Sequence, residues 1–101
     1  MRALISSPEG PVIGPFDNPV TAPGYIKVRV KAAALNRADL AMLTGASHGV
    51  AGGMGLPLGL EWAGEVIEVG EGVTGWQVGE RAMAASPGAF ADEVVVPANW
   101  A

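Results

Sequence analysis

Glycine and proline punctuate this chain so densely that few stretches are long enough to become a helix, and this governs what it can fold into. Among 101 residues stand 15 glycines and 8 prolines, with neither a G-X-Y period nor a proline-rich run. Collagen-like and linker readings therefore fall, and a turn-rich β domain rises. Half of the residues are hydrophobic and only 16% are charged, which argues against disorder and for a core bounded by many backbone turns. The length allows one domain at most. A domain of this size buries only about 60 to 65% of the surface of its unfolded chain, so its stability is modest unless something else covers it.

Between the punctuation marks the periodicity is that of strands. Arg2 to Ser6 reads as a short strand closed by Pro8, Gly10 and Pro11, and Pro15, Pro19 and Pro23 keep the following stretch from being helical. Ile26, Val28 and Val30 alternate with Lys27, Arg29 and Lys31, which predicts a half-buried strand with a basic, solvated face. The alternation stops at ALNRADLAMLTG. There Asn36 is placed to cap a helix of about two turns through Leu43, with Gly45 ending it. Asp39 stands three residues after the cap, where a carboxylate meets free N–H groups and the positive helix end.

The segment ASHGVAGGMGLPLG comes next. Its glycines offer almost no side-chain packing, so a mobile surface loop is expected. Strand signals resume over Glu61 to Val69, with Gly64 marking a bulge or a close backbone approach. A turn-rich GEGVTGWQVGE leads to a strand over Arg81 to Ala85, and Phe90 to Val96 reads as the last strand. The expectation is a mainly β, barrel-like domain of about five or six strands with one short helix.

Bulk charge and composition exclude several functions. The net charge is −4, and Lys27, Arg29 and Lys31 form the one basic cluster, so nucleic-acid binding has no electrostatic footprint. With no cysteine there are no disulfides, thiolate zinc sites, cysteine nucleophiles or iron–sulfur clusters. The first residues, MRALISSPEGP, are too short an apolar run for a signal-peptide core, and no run approaches a membrane span. A soluble, cytoplasmic protein without a membrane partner is expected.

Motifs that look like chemistry mostly have plainer readings. Gly70, Gly72 and Gly75 spell G-x-G-x-x-G after a strand, with Asp92 and Glu93 about twenty residues on. A dinucleotide site needs a helix to begin there. Here β-branched Val73 and Thr74 and the nearby Gly79 leave room only for a turn. His48 is the single histidine, without a second histidine or a cysteine to share a metal or a triad, so an exposed loop residue is expected. Trp62, Trp76 and Trp100 are too scattered for a binding stripe and read as core or interface packing. Asn36 and Asp39 remain, with helix capping as the ordinary reading.

The blocks IKVRVKAAALNRADLAMLTG, PLGLEWAGEVIEVGEGVTGWQVGERAMA and GAFADEVVVP resemble, in order and spacing, the N-terminal GroES-like catalytic domain of medium-chain dehydrogenases/reductases, and specifically the zinc-free quinone oxidoreductases. The resemblance implies a GroES-like, partly open β-barrel with one short helix, spanning residues 1–101. It also implies a Rossmann cofactor domain and a returning C-terminal segment that these residues do not include. In the zinc-dependent branch a cysteine ligand stands where Asn36 is, and a histidine ligand where Leu60 precedes Glu61, so no metal is implied.

In the quinone oxidoreductase branch the asparagine matching Asn36 lies beside the nicotinamide and the substrate carbonyl, and would act catalytically by donating to an oxygen that gains negative charge. Asp39, Ser47, Leu60 and Glu61 are implied neighbours of the substrate and nicotinamide, with Asp39 supporting the helix. Tyrosines that some members place near Ser47 and Glu93 are missing, and the hydroxyl used for proton relay falls at Ala38.

By this resemblance the chain is expected to be the substrate-side domain of an NADH- or NADPH-dependent enzyme that passes hydride to quinones, enones or similar carbonyl acceptors. Residues 1–101 by themselves are expected to bind no dinucleotide and to be inactive. They are expected to self-associate or to need the Rossmann half as partner. Two alternatives from other classes are a co-chaperonin, which shares the fold and the GEVIEVGEG–VGERAMA block, and a standalone scaffold or binding domain.

Overall fold

In a computed structural model the described residues are 1–43, 45–48 and 51–101, with the side chains of Ser47, His48 and Ala51 outside the description. Strand β3 (Tyr25–Ala33) forms where the sequence alternates. Ile26 and Val28 are fully buried, Arg29 and Lys31 stay in solvent, and Lys27 lies 4.0 Å from Glu93. It pairs antiparallel with β6 (Glu61–Val69) on one side and β8 (Glu93–Pro97) on the other, while β7 (Arg81–Ala85) pairs with β6. The resulting four-stranded sheet runs β7-β6-β3-β8. Strand β3 is therefore an inner strand, and the residues that leave its end start from the middle of the sheet.

Two register shifts bend β3 against β6, one between Lys27 and Val28 and one between Val30 and Ala32. Opposite the second lies Gly64, where a Cβ would overlap the Arg29 carbonyl oxygen. The strands approach here too closely for any side chain, which is why a glycine stands inside β6.

A hairpin of β1 (Arg2–Ile5) and β2 (Val12–Pro15) packs beside this sheet. Strand β2 is not anticipated from sequence, because its two flanking prolines enclose only two apolar residues. Its exposed edge position is where prolines are tolerated. Leu4 ties three segments together: its N–H donates to the Phe90 carbonyl at 2.8 Å and its carbonyl accepts from Leu58 at 2.9 Å, while Phe90 N–H reaches the Leu58 carbonyl at 2.9 Å. The last strand consequently begins at Glu93 and not at Phe90. The sheets remain open and do not close into a barrel.

The expected loop is not wholly irregular. Its described backbone includes the two-residue strands β4 (Ser47–His48) and β5 (Ala51–Gly52), paired with each other. Among the described residues two apolar clusters form the interior. One gathers Ile26, Val28, Trp62, Val66, Ala82, Ala89, Val94 and Val96 inside the sheet, and the other joins Met42 to Leu58 with Leu4, Leu43, Leu60 and Phe90 around them. No helix among the described residues is long and apolar enough to cross a membrane.

Candidate functional site

The site is built where β3 ends and α1 (Arg37–Met42) begins. Asn36 keeps extended backbone angles, φ −122° and ψ 150°, as a capping residue must. Its backbone N–H donates to Asp39 Oδ2 at 2.7 Å, and Asp39 N–H returns to the Asn36 carbonyl at 3.0 Å. The Asp39 carboxylate thus supplies its half of a capping box, while the Asn36 side chain makes no capping hydrogen bond to the helix. Asp39 is buried beside the same helix face that sinks Met42 into the second cluster, three residues on. Its Oδ1 is buried with no hydrogen-bond partner among the described residues.

The Asn36 side chain also reaches beyond the helix. Its Nδ2 donates to Glu61 Oε2 at 3.2 Å, joining the helix cap to the first residue of β6. Glu61 is exposed, while Leu60 just before it is half-buried against Met42 and Leu58. Hence the structure brings Asn36, Asp39 and Glu61 into one hydrogen-bonded set. Leu60 serves that set as packing. The side chain of Ser47 lies outside the described residues, as does that of His48, although the β4 backbone lies against α1.

A shallow cleft of about 270 Å³ lies along Ala32, Ala33 and Ala34, with Glu61, Trp62, Ala63 and Met83 completing its walls. A larger groove of about 440 Å³ sits on the outer sheet face, lined by Lys31, Glu65, Arg81 and Met83 among others. In that groove Glu65 stands in register with Arg81 on the neighbouring strand, so this cation faces a carboxylate. The smaller cleft is the one that touches the candidate set, through Glu61.

The remaining sequence candidates have structural employment. The G-x-G-x-x-G segment is a turn: Gly70 N–H donates to Tyr25 O at 2.8 Å, and Val73 N–H closes on Gly70 O at 3.3 Å. Gly72 and Gly75 adopt φ of 80° and 90°, so the glycines serve left-handed backbone and no helix end is available for a pyrophosphate. Asp92 Oδ2 accepts from the Arg2 N–H at 2.8 Å, and Glu93 accepts from Asn18 at 3.0 Å. Trp62 is core and Trp76 packs on it, whereas Trp100 is 53% exposed. What sequence reasoning missed is the Asn36–Glu61 link. No local pattern carries a contact between residues 25 positions apart.

An open antiparallel sheet with one short capped helix is the architecture of a GroES-like domain. Residues 22–101 match the family model of the alcohol dehydrogenase GroES-like domain, and the chain belongs to that family, within the medium-chain dehydrogenases/reductases. It is similar to a highly reducing polyketide synthase of Penicillium crustosum, 35% identical over 79% of this chain and 3% of that protein. It is also similar to the human synaptic vesicle membrane protein VAT-1 homolog, 38% identical over 82% of this chain and 21% of that one.

Among solved structures, the human VAT-1 homolog-like protein superposes with a TM-score of 0.86 at 30% identity, covering 99% of this chain and 34% of the other. Escherichia coli quinone oxidoreductase complexed with NADPH gives a TM-score of 0.79 at 26% identity, covering 98% and 31%. The chain thus spans about a fifth or less of these curated relatives and about a third of these structures.

Proposed function

We propose that this chain is the acceptor-side half of the active site of a zinc-independent, NAD(P)H-dependent reductase of quinones, enones or similar carbonyl compounds, acting in the cytoplasm. The observation that carries the reading is the Asn36 amide, tied by its side chain to Glu61 on the cleft wall and by its backbone to Asp39. An amide N–H is a donor that needs no proton bookkeeping. It suits an oxygen that gains charge as hydride arrives.

Zinc does not fit this rim. A hydrocarbon, an amide and one carboxylate, at Leu60, Asn36 and Glu61, do not make the nitrogen and sulfur donor set that the ion prefers. A nicotinamide does fit, in a limited sense: the Asn36 amide can meet its carboxamide or the acceptor oxygen, and the glycine-rich turn offers no phosphate cradle, so this chain would hold only the reacting end. When bound, the dinucleotide supplies the hydride. The chain's own residues orient the acceptor, with Trp62 and the alanines of the cleft excluding water around it. Leu35 and Leu40, 87% and 69% exposed on either side of Asn36, and Met83, 74% exposed on β7, give apolar surface for a cofactor domain to cover.

The test uses the full-length protein with NADH and NADPH against a panel of quinones and enones. Turnover is expected to survive a strong chelator and to fall on the order of a hundredfold with Asn36→Ala. Activity abolished by the chelator and restored by zinc would sink the proposal, as would undiminished turnover in Asn36→Ala.

A further inference from the structure

A catalytic amide is useful only if its NH₂ and its carbonyl are told apart, because the two ends of an asparagine side chain are nearly isosteric and swap by a half-turn. In this chain one neighbour makes that distinction. The Glu61 carboxylate accepts only, so the Nδ2 end of Asn36, and not its Oδ1, must face it at 3.2 Å. The backbone of Glu61 is fixed: it opens β6 in register with Ala85, and its carbonyl accepts from Ala34 N–H at 3.4 Å, just two residues before Asn36. Asp39 meanwhile locks the Asn36 backbone at 2.7 Å. With the backbone held from one side, the two side-chain torsions are the freedom left, and the bond to Glu61 restrains them.

We propose that Glu61 is the positioning residue of Asn36, setting which face of the amide is presented at the cleft, an inference that rests on Asn36 being the donor to the acceptor oxygen. One Nδ2 hydrogen is committed to Glu61 and the second is left pointing in a defined direction. Glu61 sends no proton and touches no reacting atom in this role.

The experiment is a double-mutant cycle in the full-length protein, combined with NMR of the Asn36 side-chain NH₂ after isotopic labelling at asparagine. Glu61→Ala is expected to lower kcat about ten- to a hundredfold with KM little changed, as misoriented groups do. Glu61→Gln, whose amide can accept from Nδ2 or donate to Oδ1 and so no longer tells the two ends apart, is expected to recover only part of the rate. In an Asn36→Ala background, Glu61→Ala is expected to cost nothing further. The NH₂ resonances of Asn36 are expected to show one protected, shifted proton in the parent, weaker protection in Glu61→Gln, and two freely exchanging protons in Glu61→Ala.

Equal losses from Glu61→Ala in both backgrounds would overturn the inference while leaving the Asn36 role intact. So would a Glu61→Gln protein as active as the parent, or an NH₂ spectrum unaltered by Glu61→Ala. If Asn36→Ala alone keeps full turnover, the functional reading fails first and the inference with it.

Discussion

The indole Nε1–H of Trp62 donates to Ser86 Oγ at 2.6 Å inside the core, 24 residues apart in sequence. Trp62 is 3% exposed and Ser86 5%, so neither group has water to fall back on. Ser86→Ala is expected to leave the indole N–H unpaired and to lower stability by about 1 to 3 kcal/mol. Combined with Trp62→Phe, which removes the donor as well, Ser86→Ala is expected to cost much less than it does alone. Urea unfolding of the four proteins measures both.

Gly64 and Gly14 make a contrasting pair on two strands. A Cβ at Gly64 would overlap the Arg29 carbonyl oxygen, whereas one at Gly14 meets nothing within 4 Å. Gly64→Ala must push β6 from β3 and is expected to cost about 1 to 3 kcal/mol or more. Gly14→Ala is expected to stay within about 0.5 kcal/mol of the parent. Equal midpoints for the two variants would contradict the close approach.

The Asp39 half of the capping box is open to an equally direct check. Asp39→Ala removes the carboxylate that accepts from the Asn36 N–H and is expected to cost about 0.5 to 2 kcal/mol. Amide hydrogen exchange should quicken in α1 and leave β3, β6 and β8 as protected as before. Uniform quickening across the sheet would mean that Asp39 supports more than its helix.

Leu60 is expected to act through packing. Truncation to Ala opens space beside Met42 and Leu58, and because the side chain is only half-buried the cost is expected at or below the low end of the usual range, about 2 kcal/mol. A thermal melt that moves by less than about a degree would remove it from that cluster.

Where the sequence was legible, a local rule was in force. The Ile26–Val28–Val30 alternation appears as the buried face of β3, with Ile26 and Val28 inside and Val30 packed at its edge. The Asn36-to-Asp39 spacing appears as the Asp39 half of a capping box at the start of α1, and the G-x-G-x-x-G string, judged by its β-branched neighbours, appears as a turn. The failures lay where two weak segments support each other. Strand β2 exists because β1 pairs with it through Arg2↔Pro15 to Ile5↔Val12, and Phe90 leaves the last strand because Leu4 and Leu58 claim its backbone groups.

The sequence by itself determined the strand phases, the helix start and the turns, because each depends on side-chain period or backbone φ within a few residues. Only the tertiary structure decided that Asn36 meets Glu61 and that Trp62 meets Ser86. Those pairings depend on strand register, and the register is set by the shifts beside Lys27 and Lys31 that bend β3 against β6. A displacement of one residue there would turn every β6 side chain to the opposite face, and the amide at Asn36 would have no carboxylate to orient it.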